Sequence, residues 1–234
     1  MSTPAHVGRR QAHVLRLVRH HDGLSRIELA RQMGMSPTTL SSYAEQLLAD
    51  GYLLEGPPAG GGGRGRPARV LRLNPAAGFM LGLDVTNRWV RCRVLDFAAG
   101  VLRSDRQTLA SDDGFSAFLE CAVTMIDEAV AAGAGALLGL GLSLPQAGRE
   151  QAPARHLREW DQRRLDTAMT KRLGLTPHVA DSTYALAAAE LWFGDGRGAD
   201  AFLALDCRAG VGAGLVFHGE ILSQERPGTG SIGQ

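Results

Sequence analysis

SRIELARQMGMSPTTLSSYAEQLLADGYLLE, residues 25–55, carries two helix-start signals in quick succession. Ser25 followed three residues on by Glu28 is a reciprocal capping pair, and Ile27, Ala30 and Met33 recur at helical spacing before Gly34 stops the run. Ser36 then caps a further helix with Pro37 at its first position, where the missing N–H costs nothing, and Leu40, Ala44, Leu47 and Leu48 form its apolar stripe. Two helices therefore meet across a tight Gly34-Met35 turn. Upstream, His6 to His21 carries Val7, Val14, Leu15 and Val18 as a third helix. Downstream, after Asp50-Gly51, the short β runs Tyr52-Leu53-Leu54 and Val70-Leu71-Arg72-Leu73 flank GPPAGGGGRGRP, residues 56–67, which has too much Gly and Pro for helix or central strand and reads as a loop.

Helix, tight turn, helix and β-hairpin is the order of a winged helix-turn-helix, in which the third helix enters the major groove and the hairpin tip meets the backbone or minor groove. With about 100° per residue, the face opposite the apolar stripe carries Thr38, Thr39, Ser42, Glu45 and Gln46, and Ser36 and Ser41 stand where hydroxyls reach phosphates. The expected DNA-binding residues are Ser36, Thr38, Thr39, Ser41, Ser42 and Gln46 on the helix, with Arg64 and Arg66, and also Arg69, on the wing. No Lys or Arg falls between Arg31 and Arg64, so the groove helix has no cation of its own. Its grip must come from the wing, from Arg9, Arg10, Arg26 and Arg31, and from the backbone amides at its N-terminus. Charge supports a polyanionic partner: residues 1–73 hold 10 arginines against 5 acids, whereas the rest holds 15 basic against 19 acidic side chains. A plain helical hairpin followed by a solvated linker is the alternative.

The whole chain of 234 residues, with 44% apolar and 21% charged residues and a net charge of +1, has the composition of a soluble globular protein. It has no apolar run of about 18 residues and no signal-peptide pattern at its start, so neither membrane spanning nor secretion is expected. Cys92, Cys121 and Cys207 are too few and too far apart for a disulfide framework or metal knuckle, which fits a reducing cytoplasm. From Phe79 the pattern changes. Phe79–Val85, Trp89–Asp96 and Val101–Thr108 read as successive strands, followed by a helix at Phe115–Ala132 and a strand at Ala136–Leu144. A helix at Arg163–Leu173, a strand at Pro177–Ala180 and a helix at Thr183–Phe193 come next, and Ala201–Asp206 with Leu215–His218 restarts the meander. An α/β class with a mixed sheet follows, with expected domains at 1–73, 74–198 and 199–234.

Five stretches in order carry a family resemblance: residues 25–55 with GRGRP as wing, LGLDVTNRWVRCRVLDFAAGVL (81–102), LLGLGLSLPQAG (137–148), VADSTYALAAAE (179–190), and LALDCRAGVGAGLVFHGEIL (203–222) with GTGSIG (228–233). The chain resembles the ROK (repressor, open reading frame, kinase) family, specifically its transcriptional regulators. That resemblance implies a winged helix-turn-helix joined to an actin-like, hexokinase-like (ribonuclease H-like) sugar-kinase fold, here the first lobe plus an incomplete start of the second that breaks off at Gln234. It also implies damaged sites. In the family's first phosphate loop Asp84 is kept, but Thr86 and Asn87 replace glycines and Arg88 replaces a threonine, so no ATP cofactor is expected. Asp181 matches the family's catalytic Asp without its neighbouring Asn and reads equally as a helix N-cap. Gly210, Gly212 and Gly214 match the second phosphate loop, a pattern that any tight hairpin also explains. Ser231 and Gln234 stand where the family has its sugar-binding Glu and zinc-binding His, so no metal is expected.

The expected function is a non-enzymatic, DNA-binding transcriptional regulator, a repressor by kinship, acting in carbohydrate metabolism. Its expected partners are a double-stranded operator, a weakly held sugar effector and a second copy of the chain. The alternatives are a ROK-type sugar kinase with an N-terminal extension, which needs the intact first loop, and a functionless remnant of a longer gene.

Overall fold

The computed structural model describes residues 7–21, 23–58, 69–132, 135–145, 152, 154–207 and 211–222. Two compact units divide the chain: Met1–Phe79 with Asp96–Gly100 and Ala134–Ala136, and Met80–Leu95 with Val101–Gly133 and Leu137–Gln234.

The first unit is a winged helix-turn-helix. Its elements are α1 (Arg9–His20), β1 (Leu24–Ser25), α2 (Arg26–Gln32), α3 (Pro37–Ala49), β2 (Leu53–Pro58) and β3 (Arg69–Leu73). Both capping signals form: the Ser25 hydroxyl accepts from the Glu28 N–H at 3.3 Å while the Glu28 carboxylate accepts from the Ser25 N–H at 2.8 Å, and Ser36 accepts from the Thr39 N–H at 3.1 Å. Val14 and Val18 of α1, Leu29 of α2, and Leu40, Ala44 and Leu47 of α3 make the core with Leu71 of β3. Of the stripe expected on α2, Ala30 is buried and Met33 half-buried, but Ile27 is corrected: it is 68% exposed, and Leu29 is buried in its place. In so short a helix either register satisfies the spacing, and the packing of α1 and α3 decides between them.

The three strands lie in the order β1-β3-β2. The loop expected from Gly56 begins later, because β2 continues to Pro58 with Gly56 opposite Val70. An edge position tolerates this, since a proline there withholds no N–H from a second neighbour. Residues 96–100 are part of this unit: the Arg19 guanidinium donates to the Phe97 carbonyl at 2.7 Å, and the Phe97 ring lies 5.3 Å from that of Tyr52. Burial lowers the Arg19 pKa, and Asp96 partly offsets the shift.

In the second unit a five-stranded mixed sheet has the order β6-β5-β4-β7-β8, from β4 (Phe79–Val85), β5 (Trp89–Asp96), β6 (Val101–Thr108), β7 (Leu137–Leu144) and β8 (His178–Asp181). β5 and β6 pair antiparallel, and β7 and β8 parallel. Helix α4 (Phe115–Ala132) buries Phe115, Phe118, Ala122, Met125, Ile126 and Ala129. The short α5 (Arg155–Arg158), not foreseen in the sequence, precedes α6 (Gln162–Leu173). Helix α7 (Ser182–Phe193) packs Ala187 and Leu191 on Ala204 and Val216 of a second sheet of β9 (Ala201–Asp206), β10 (Gly212–Phe217) and β11 (Glu220–Ile221). A meander, crossover helices and then a second meander are the order expected for the first lobe and the start of the second in an actin-like fold. No helix among the described residues is long and apolar enough to cross a membrane.

His156 on α5 is wholly buried, stacked 6.1 Å from Phe118, with its Nε2 at 2.9 Å from the Thr86 carbonyl. That carbonyl requires Nε2 to carry the proton, and Nδ1 is buried without a partner among the described residues. Burial therefore pushes the His156 pKa below its ordinary 6.5, against smaller opposing contributions from Thr86 and Asp113. Its contribution to stability is fully present above 6.5 and declines below it, because the unfolded chain takes up the proton first. Thermal melts between about pH 7.5 and 5 should show this decline, at no more than about 1.4 kcal/mol per pH unit for one group. His156→Gln should flatten the dependence, and an unchanged profile would count against the buried neutral imidazole.

Candidate nucleic-acid interface

Helix α3 turns its stripe inward and leaves Thr38, Thr39, Ser42, Glu45 and Gln46 exposed, with Ser41 half-buried. The polar face expected from the wheel is thus open to a ligand. Its hydroxyls are not equivalent. Ser36 is occupied in capping, and its Oγ lies 2.8 Å from the Thr39 Oγ1, so these two hydroxyls already serve each other. Apart from that pair, Thr38 and Ser42 are the exposed hydroxyls in the N-terminal half of the helix, the part that reaches base edges in a major groove.

The C-terminal half is braced by its neighbours. The Gln11 amide of α1 donates to the Gln46 Oε1 at 2.9 Å, the Arg10 guanidinium donates to the Tyr43 hydroxyl at 3.3 Å, and Arg26 lies 3.7 Å from Glu45. Arg10 therefore stands beside a helix that has no cation of its own, a placement the sequence could not disclose because 33 residues separate it from Tyr43. Two expected cations are in ion pairs instead. Arg26 and Arg69 each donate to Glu55 at 2.8 Å, and these contacts, led by the Arg69 hydrogen bond, hold the Glu55 carboxyl below its ordinary pKa. Arg9, Arg10 and Arg31 are exposed. Arg64 and Arg66 lie outside the described residues.

The positions matching sugar-kinase loops have local structural partners. Asp84 accepts from the Ser143 hydroxyl at 3.3 Å. The Thr86 hydroxyl accepts from the backbone N–H of Arg88 and of Trp89 at 3.3 and 3.2 Å, and the Thr86 N–H donates to the Trp89 carbonyl at 3.0 Å. Three amides of this turn are thereby used within it.

Asp181 is the N-cap of α7, accepting from the Thr183 N–H at 2.8 Å. Asp181→Ala should lower stability by about 0.5–2 kcal/mol in a denaturant titration, and Asp181→Ser should recover most of the loss. A serine that fails to rescue would mean that Asp181 acts through its charge and not as a cap.

Gly212 and Gly214 lie within β10, not in the loop expected before Leu215, and Gly210 lies outside the described residues. A Cβ on Gly214 would stand 2.4 Å from the Thr183 carbonyl oxygen, so close helix packing accounts for that glycine. Ser231 and Gln234 also lie outside the described residues. Among the described residues no three His, Cys, Asp or Glu side chains gather as metal ligands.

Residues 8–54 match the MarR family model. Along most of its length the chain is similar to the xylose repressor of Caldicellulosiruptor bescii, at 21% identity over 94% of this chain and 56% of the relative. It is also similar to the DNA-binding transcriptional dual regulator NagC of Escherichia coli strain K12, at 24% identity over 95% of this chain and 56% of that protein. The crystal structure of a ROK family transcriptional regulator, a homologue of the E. coli MLC protein, superposes with a TM-score of 0.71 at 22% identity, covering 96% of this chain and 58% of that one. The chain thus spans about half the length of the curated relatives it matches.

Proposed function

We propose that this chain acts as a ROK-type regulator, binding duplex DNA sequence-specifically and regulating transcription, with repression the sign carried in the name of the similar xylose repressor. The observation that carries this reading is the exposed polar face of α3, seated by a buried stripe and braced by Arg10 and Gln11 in a winged helix-turn-helix. Thr38 and Ser42 read base edges. Ser41, Gln46, the amides at the start of α3 and the side chains of Arg9, Arg10, Arg64 and Arg66 hold phosphates or fix the helix in its groove. Two copies bind a near-palindromic operator whose half-site centres lie about one helical turn or a multiple apart. The name of the xylose repressor supports a sugar as the effector class, and the substitutions at Thr86, Asn87 and Arg88 favour weak affinity and no phosphoryl transfer.

Fluorescence anisotropy with DNA from the chain's own upstream region tests the reading. Thr38→Ala and Ser42→Ala should each reduce discrimination between operator and scrambled duplex, by about 1–3 kcal/mol where the side chain reads a base. Arg64→Ala with Arg66→Ala should weaken both duplexes alike and flatten the salt dependence. If both sets of changes act equally on both duplexes, α3 is not the reading element. The kinase alternative predicts ATP-dependent phosphorylation of glucose, xylose or N-acetylglucosamine. No turnover is expected, because the first-loop amides bond within their own turn.

A further inference from the structure

Strands β5 and β6 place Arg91 directly opposite Arg106, with Arg93 opposite Ser104 and Trp89 opposite Thr108. The intervening Val90, Cys92 and Val94 are buried, so these six residues share the outer face of the hairpin, where Arg93 and Arg106 are exposed and Arg91 is half-buried. Like charges directly opposite each other on a ladder are destabilising unless an anion lies over them. None of the three arginines has an ion-pair partner among the described residues. The nearest acid in sequence, Asp105, is on the other face, 2.6 Å from Arg103, and Asp84 on β4 accepts from Ser143. The Arg91 guanidinium lies 4.8 Å over the Trp89 ring, which holds its fork in place.

We infer that this face is a second DNA contact surface, gripping backbone phosphates without reading sequence. The inference rests on the DNA-binding function proposed above. Two considerations favour a nucleic-acid backbone as the occupant. Guanidinium forks match phosphate oxygens two at a time. Positions two apart on a strand lie about 6.6 Å apart, and directly opposed positions about 5 Å, which presents a flat charged lattice and not a pocket for a small ligand.

The test measures anisotropy against salt for the full chain on a random-sequence duplex of about four helical turns. Changing Arg91, Arg93 and Arg106 together to Ala should reduce the slope by up to about 3 and the affinity tenfold or more. Arg93→Glu, an exposed single change that leaves the Arg91–Trp89 stack in place, should act in the same direction. Equal slopes for native chain and variants overturn the inference, including the case in which the face receives an acidic protein. Failure of the native chain to bind the duplex would instead overturn the DNA-binding function itself.

Discussion

Leu40→Ala is expected to abolish operator binding at temperatures near the growth range and to lower the melting transition of the first unit markedly. Leu40 is wholly buried at the first turn of α3, where its N–H donates to the Ser36 carbonyl at 3.1 Å. Removing a side chain of this size from a closed core costs about 2–5 kcal/mol, from the transfer energy forfeited plus the cavity left behind. A unit of about eighty residues is stable by only roughly 4–12 kcal/mol at typical values per residue, so the loss is a large fraction of the total. The same side chain sets the rotation of α3 about its axis. A helix that sinks into the cavity carries Thr38 and Ser42 away from the groove before the unit unfolds. Circular dichroism melts and anisotropy on the same samples separate the two effects. Thr39→Ala, at an exposed neighbour, should change stability far less. Unchanged binding and melting in Leu40→Ala would mean that the stripe does not seat the helix.

Local rules in the sequence located the caps and most strand limits, because those depend on residues a few positions apart. Ser25 with Glu28, and Ser36 with Pro37, mark helix starts in both sequence and structure. Phe79–Val85, Trp89–Asp96, Val101–Thr108 and Ala201–Asp206 form over the expected ranges, since alternation with one buried face fixes a strand. What escaped notice depends on distant partners. β1 exists because Leu24 and Ser25 find Leu71 and Val70, and β2 reaches Pro58 because Arg69 lies opposite it. Glu55 neutralises two arginines that counted as DNA cations, and Arg10 reaches Tyr43 across the unit. Asp181 left two roles open in the sequence, and its hydrogen bond to the Thr183 N–H gives the capping role a geometric basis. Gly212 and Gly214 are ambiguous for a different reason: glycine signals conformational freedom and close approach alike, and only a neighbouring helix distinguishes them.

That ambiguity makes Gly214→Ala the second change with a large expected effect. Gly214 pairs with Ala204 in the β9–β10 ladder and faces α7, where an added Cβ would lie 2.4 Å from the Thr183 carbonyl oxygen and 2.7 Å from the Ala187 Cβ. Neither obstacle is the end of a flexible side chain, so backbone must move. The helix cannot recede freely, because its first turn is fixed by Asp181 and Ala187 is wholly buried against the second sheet. Overpacking of this kind costs about 1–3 kcal/mol and more where both sides are rigid, so about 3 kcal/mol is expected in a denaturant titration. Adding Ala187→Gly should recover only part of this, since it relieves the methyl clash and leaves the carbonyl one. The same variant separates the two explanations for the glycine. If Gly214 is small to admit α7, Gly214→Ala lowers the stability of the second unit whether or not nucleotide is present. If it is small to admit a phosphate, the variant melts like the native chain, and only stabilisation by added nucleotide disappears.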